Sequence, residues 1–268
     1  MGKKKKYLIE TSAVPAALGE STPAHCARFV EVVADGTCWT SIYIRKEFVR
    51  RWIRYYVRMA FCADYYQDLS SALYDLEQDF SIRDVKTGQH ALATFLRDKG
   101  AVQNGRTLAK ELAHFAVVAL RKFDHRFQKR TNNSCGCKIG GTELNVDFNH
   151  LFDDLRCFLE SIDVVADCPI NSFLRLNKPG PASRLLSQPD VVEKTKSGEK
   201  LAKLRAASRH ITCKECQTIG DAVIALDQPP SWCLVHIDKD FCILCKAANR
   251  EQKLLPSLRA VEKDAPKL

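Results

Sequence analysis

Ile219-Gly220-Asp221-Ala222-Val223-Ile224-Ala225-Leu226, followed shortly by Leu234-Val235-His236-Ile237-Asp238-Lys239-Asp240-Phe241, is the stretch that decides the fold. Gly220 precedes an acid that opens a short helical pattern, and Pro229-Pro230 terminates it. Trp232 to Ile237 is then a continuous apolar run, of the kind that suits a parallel strand buried on both faces. The other end of the chain repeats the pattern. Tyr7 to Ile9 is a short apolar run after a string of lysines, and Glu10 ends it. A third strand-like run, Cys38 to Tyr43, leads into a predicted helix with Glu47 near its start. Ligands of open α/β sheets sit beyond the carboxyl ends of the strands, where Glu10 and Asp238 fall. Gathered there, Glu10, Glu47, Asp221 and Asp238 would repel one another, and a hard divalent cation would relieve that.

The segments Ile9-Glu10-Thr11-Ser12, Ser41 through Glu47, Asp221-Ala222-Val223-Ile224-Ala225 and His236-Ile237-Asp238-Lys239-Asp240-Phe241 follow one another in a familiar order. In this the chain resembles the PIN-domain family of metal-dependent nucleases, over about its first 60 and last 55 residues. That family opens with a strand ending in Asp-Thr-Ser and carries a Glu on the helix after its second strand. Its third acid lies in an Asp-Ala-x-Ile-Ala helix and its fourth in a Thr-x-Asp-x-Asp-Phe segment. Two positions depart from the pattern: Glu10 stands for Asp, one methylene further from the backbone, and His236 stands for Thr. The resemblance implies Mg²⁺ or Mn²⁺ held by Glu10, Glu47, Asp221 and Asp238, with Asp240 as a helper. It implies hydrolysis of RNA or DNA phosphodiesters, the metal polarising the phosphate and activating water. It also implies a toxin or defence role, with an antitoxin or other protein as partner.

Composition is compatible with this. The chain has 268 residues, 46% of them hydrophobic, which is enough for a full core. No apolar run reaches the length of a membrane span, and Lys3 to Lys6 are not followed by a secretory apolar segment. The expectation is a cytoplasmic protein with no membrane partner. The net charge of +9 suits a polyanionic partner. Much of it lies in one predicted helix: Arg45, Lys46, Arg50, Arg51, Arg54 and Arg58, interleaved with Trp52, Tyr55 and Tyr56. Guanidinium forks bind phosphates, and exposed aromatics stack on bases, so Arg50, Arg51, Arg54 and Arg58 are candidate nucleic-acid contacts. The competing expectation is an amphipathic helix whose aromatics enter the core while its arginines face water.

Twelve cysteines divide by surroundings. Cys26, Cys38, Cys62, Cys157 and Cys233 lie among apolar residues, as buried free thiols do. Cys135-Gly136-Cys137 and Cys213-Lys214-Glu215-Cys216 lie in polar, turn-like sequence. Together they can form a tetrahedral, structural zinc site, closed to water. Cys168 and His210 are competing ligands. Cys242-Ile243-Leu244-Cys245 reads instead as part of a core helix.

The expected fold is α/β, a PIN-like three-layer domain with a central parallel sheet and a large, mostly helical insertion. The core is assigned to residues 1–60 and 211–255, the insertion with its cysteine cluster to 61–210, and a tail to 256–268. Within the insertion, helical spacing marks 64–80, 89–96, 108–127 and 148–162, whereas 177–200 reads as a Pro-, Gly- and Ser-rich connector. Two other functions stay open. One is a non-catalytic nucleic-acid-binding protein that keeps the fold, a reading Glu10 supports. The other is a zinc-stabilised protein–protein interaction module.

Overall fold

The computed structural model describes residues 4–67, 105–128, 149–163, 184–206 and 219–257, with isolated positions between them. The chain divides into two compact units. Met1–Arg45, Phe127–Gly140 and Val165–Leu268 form the first; Lys46–Arg126 and Gly141–Val164 form the second. The strands are β1 (Lys5–Ile9), β2 (Gly36–Ser41), β3 (Arg130–Thr131), β4 (Cys233–His236) and β5 (Glu251–Leu254). The α-helices among the described residues are α1 (Val14–Ala17), α2 (Pro23–Val32), α3 (Ile42–Phe48), α4 (Arg54–Tyr66), α5 (Gly105–Arg126), α6 (Leu151–Asp163), α7 (Pro189–Lys194), α8 (Lys196–Ala206), α9 (Gly220–Asp227) and α10 (Asp240–Ala247).

The first unit is an α/β domain built on a parallel sheet, as expected. Its strand order is β3-β2-β1-β4-β5, and every pairing is parallel. Tyr7, Leu8 and Ile9 are buried, as is every residue of β4, which requires cover on both faces of the sheet. The order explains the cover. From β1 the chain steps one way to β2, and from β4 it steps the other way to β5. Right-handed crossovers then put α1 and α2 on one face and α10 on the other. Gly36 can open β2 because it has no side chain. A Cβ there would lie 2.3 Å from the Lys5 carbonyl oxygen and 2.6 Å from the Tyr7 ring.

Three local differences from the sequence reading have physical causes. The strand expected over 38–43 ends at Ser41, whose Oγ accepts the Ile44 N–H at 3.1 Å and so starts α3. Part of the connector expected over 177–200 is helical. Pro189 sits in the first turn of α7, and Thr195 ends that helix while its Oγ1 accepts the Gly198 N–H at 3.1 Å. The polar segment Glu251-Gln252-Lys253-Leu254 is a strand, made by pairing with β4 at the sheet edge.

Polar contacts close the amino edge. The Tyr7 phenol is buried, donates to Asp35, and accepts from Lys253 Nζ at 2.9 Å. Lys253 also reaches the Val32 carbonyl at 2.9 Å, and Lys5 pairs with Glu251. Burial, then the bond to Asp35, holds the Tyr7 phenol far above its ordinary value near 10. A raised native value means that the folded state keeps its proton longer than the unfolded chain. The resulting stability is complete below about pH 10 and is lost as pH rises further. Tyr7→Phe should therefore cost about 1–3 kcal/mol at pH 8 in urea unfolding. It should also lose less stability than the parent between pH 8 and 10.5. Equal alkaline losses in the two proteins would contradict this.

The second unit is a helical hairpin with an added helix. Phe48 stacks on Phe123 at 4.8 Å and Tyr56 tilts against Phe115 at 4.9 Å, so the 48–66 helix and α5 run antiparallel. Phe61 meets Phe152 of α6 at 5.6 Å. Between α3 and α4, residues Val49–Ile53 are π-helical, and the Arg54 N–H reaches the Val49 carbonyl.

Candidate active site

The order β3-β2-β1-β4-β5 reverses direction between β1 and β4, the switch point at which α/β sheets open a crevice. The register Leu8↔Leu234 and Ile9↔Val235 brings the carboxyl ends of β1 and β4 side by side. Glu10 extends the ladder by one bond, its N–H donating to Val235 O at 2.9 Å. Its side chain is 3% exposed. Ser12 couples the two strand ends. Its Oγ donates to Glu10 Oε2 and accepts the Ile237 N–H at 3.3 Å, one residue before Asp238.

Asp238 is half-buried, and its Oδ1 accepts the Asp240 N–H at 3.1 Å, capping α10. His236 holds the same turn. Its Nδ1 lies 2.8 Å from the Asp238 carbonyl oxygen, and its Nε2 lies 2.7 Å from the Gln252 side-chain amide on β5. Burial pushes the His236 imidazole below its usual range, and the bonds to Gln252 and Asp238 offset this only in part. The neutral ring then donates from Nδ1 to Asp238 O and accepts at Nε2 from the amide, whose two ends are interchangeable.

Asp221 lies in the first turn of α9 and is 8% exposed. Helix α9 returns the chain to the amino end of β4 through a short connection, so it begins at the carboxyl edge. A second tie agrees with this. The Tyr43 hydroxyl, just past the end of β2, donates to the Cys216 carbonyl at 3.0 Å, five residues before Asp221. Glu10, Asp221 and Asp238 therefore share one edge of the sheet. Asp240 is engaged elsewhere: its Oδ2 accepts the Lys196 N–H at 3.0 Å, at the start of α8.

Glu47 belongs to the second unit. It is 2% exposed, with Oε1 3.9 Å from Arg51 Nη2. The aromatics of this helix are core: Trp52, Tyr55 and Tyr56 are at most 6% exposed and offer no stacking platform. The arginines do not form a solvated face either. Arg50 is 8% exposed, and Arg51, Arg54 and Arg58 are intermediate. Of the expected zinc ligands, Cys135, Cys137 and Cys213 lie outside the described residues, as do Cys168 and His210. Cys216 is buried, its Sγ 3.4 Å from the Tyr43 hydroxyl.

The carboxyl edge also holds polar residues that the sequence reading passed over. Helix α2 leads back to the amino end of β2, so its first turn lies at the same edge as Glu10. Glu20, Ser21 and His25 are all buried there, with Ser21 Oγ 2.9 Å from His25 Nδ1. The available signal was Thr22-Pro23, an N-cap followed by a first-turn proline, which fixes where α2 begins.

Comparison with protein-family models, curated proteins and solved structures found no match. The chemistry of the edge therefore stands on its own residues. Its acids offer only hard oxygen donors, the type that suits Mg²⁺ or Mn²⁺ rather than softer metals. Among the described residues, no three His, Cys, Asp or Glu side chains are gathered into a metal-ligating group. The acids share an edge without closing around a point.

Proposed function

We propose that the chain is a PIN-like, divalent-metal-dependent nuclease that hydrolyses phosphodiester bonds of RNA or DNA. The observation that supports this reading is that the ends of β1 and β4, which lead into Glu10 and Asp238, lie side by side at the switch point, with Ser12 bonded to Glu10 and to the Ile237 N–H. Glu10, Asp221 and Asp238 would hold Mg²⁺ or Mn²⁺, joined in the family pattern by Glu47. Bound there, the cation supplies Lewis-acid stabilisation of phosphate charge and a more acidic water. The protein's own groups do the positioning. Ser12 fixes the Glu10 carboxylate, and His236 fixes the backbone of the turn that presents Asp238. Arg51, Arg54 and Arg58 are the proposed contacts to the nucleic-acid backbone, whereas Arg50, expected beside them, is too buried to lie along it; a toxin or defence role with a protein partner fits the same reading.

The test is a cleavage assay on single- and double-stranded RNA and DNA, with Mn²⁺ and with EDTA. Cleavage that appears with Mn²⁺ and vanishes with EDTA supports the nuclease. A second reading has its own support: Asp238 caps α10 and Glu10 is tied to Ser12, both structural uses of a carboxylate. On that reading the protein binds nucleic acid without cutting it. Salt-dependent binding with no cleavage in any metal would favour it.

Structural zinc on Cys135, Cys137, Cys213 and Cys216 belongs to the same proposal, and it would fix the start of α9. The purified protein should carry about one equivalent of zinc, lost in Cys213→Ser. No zinc after reducing, chelator-free purification would remove this element.

A further inference from the structure

The most anomalous buried group of the second unit is Arg50. A guanidinium stays charged at every accessible pH, so burying one without a partner is strongly unfavourable. Arg50 is 8% exposed, and its Nε and Nη1 are buried with no hydrogen-bond partner among the described residues. The adjacent arginine is placed differently, since Arg51 Nη2 lies 3.9 Å from Glu47 Oε1. A second observation falls on the same residue. Arg50 lies inside the π-helical stretch Val49–Ile53, a rare and costly backbone form that concentrates at functional sites. Lys46, four residues earlier, is also buried, at 2% exposed, which adds positive charge to the same stretch of helix.

We propose that Arg50 is the anchor of an oxyanion site that takes a single phosphate group. The fork geometry of a guanidinium matches two phosphate oxygens, and a bound phosphate would supply the missing acceptors and counter-charge. The small exposure of Arg50 restricts the ligand to a compact group: inorganic phosphate, or the terminal phosphate of an oligonucleotide. The site shares the arginine helix with the nuclease reading, but it requires no metal and stands or falls separately.

The experiment is thermal unfolding of the full chain, titrated with inorganic phosphate against sodium chloride at matched ionic strength. Phosphate at a hundredfold excess over its dissociation constant should raise the parent midpoint by on the order of 5 °C. Chloride should not. Arg50→Met should melt above the parent in phosphate-free buffer, because it removes an unpaired buried charge, and it should gain nothing from phosphate. Arg50→Lys keeps the charge without the fork and should bind phosphate about tenfold more weakly. A short oligonucleotide with a 5′-phosphate, compared with its 5′-hydroxyl form, separates the two sources. Tighter binding of the phosphorylated form identifies a terminal phosphate, and equal binding of both, with inorganic phosphate still effective, identifies free phosphate. Should Arg50→Met fail to fold, the parent titration and Arg50→Lys still decide. A parent midpoint that responds equally to phosphate and chloride, or an unchanged phosphate affinity in Arg50→Lys, overturns the proposal.

Discussion

Asp221→Asn should reduce metal-dependent cleavage more than about 100-fold while leaving the melting temperature close to that of the parent. Loss of an outer partner of a metal ligand already costs about 10- to 100-fold, and loss of a ligand charge should exceed that. Asparagine keeps the shape and a hydrogen-bonding oxygen, so packing around the first turn of α9 should survive. The favourable effect of an acid at a helix amino end, worth about 0.3–1 kcal/mol, is lost with the charge. Rates of product formation in Mn²⁺, measured beside thermal unfolding, separate the two effects. A parent that cleaves and a variant that cleaves equally well would remove Asp221 from the site.

Gly105→Ala should destabilise the second unit by about 3 kcal/mol or more, lowering the midpoint by roughly 10 °C. Ordinarily alanine in a helix gains up to about 1 kcal/mol over glycine, so the sign is the test. At Gly105 the amino end of α5 meets the carboxyl end of α4. An added Cβ would lie 2.3 Å from Gln67 Cα, 2.6 Å from Gln67 C and 2.7 Å from the Ala63 carbonyl oxygen. These are backbone atoms, and they are held in place. Gln67 ends α4 in the left-handed conformation, with φ 59°, while its N–H bonds to Ala63 O. Neither helix end can yield without breaking that cap. Urea unfolding of the two proteins measures the difference, and an alanine variant as stable as glycine would mean that the two helix ends do not meet there.

The parallel sheet was legible where burial left a simple trace. Tyr7 to Ile9 and Cys233 to Val235 are apolar because both faces are covered. Strand β5 was not legible, because an edge strand can be Glu-Gln-Lys-Leu and still complete its ladder through the backbone. Helix α7 and the first turn of α8 were hidden because Pro189 and Gly198 resemble connector residues. Pro189 instead occupies a first turn, and Gly198 sits against Val191, whose carbonyl oxygen would lie 2.2 Å from a Cβ. Among the acids, Glu10, Asp221 and Asp238 could be placed at one edge because each stands at a strand or helix end. The tie between the two strand ends could not be read, since it depends on Ser12 meeting the Ile237 N–H from the far end of the chain. For the arginine helix, spacing alone could not tell which side chains the hairpin buries. The aromatics did enter the core, and Arg50 is buried with them.

The most direct test of the central claim is a crystal structure of the full chain soaked in Mn²⁺, with anomalous scattering used to locate the ion. An anomalous peak is expected beyond the carboxyl ends of β1 and β4, ligated by oxygens of Glu10, Asp221 and Asp238. A well-ordered edge with no peak there, or Mn²⁺ bound only elsewhere on the protein, would contradict it.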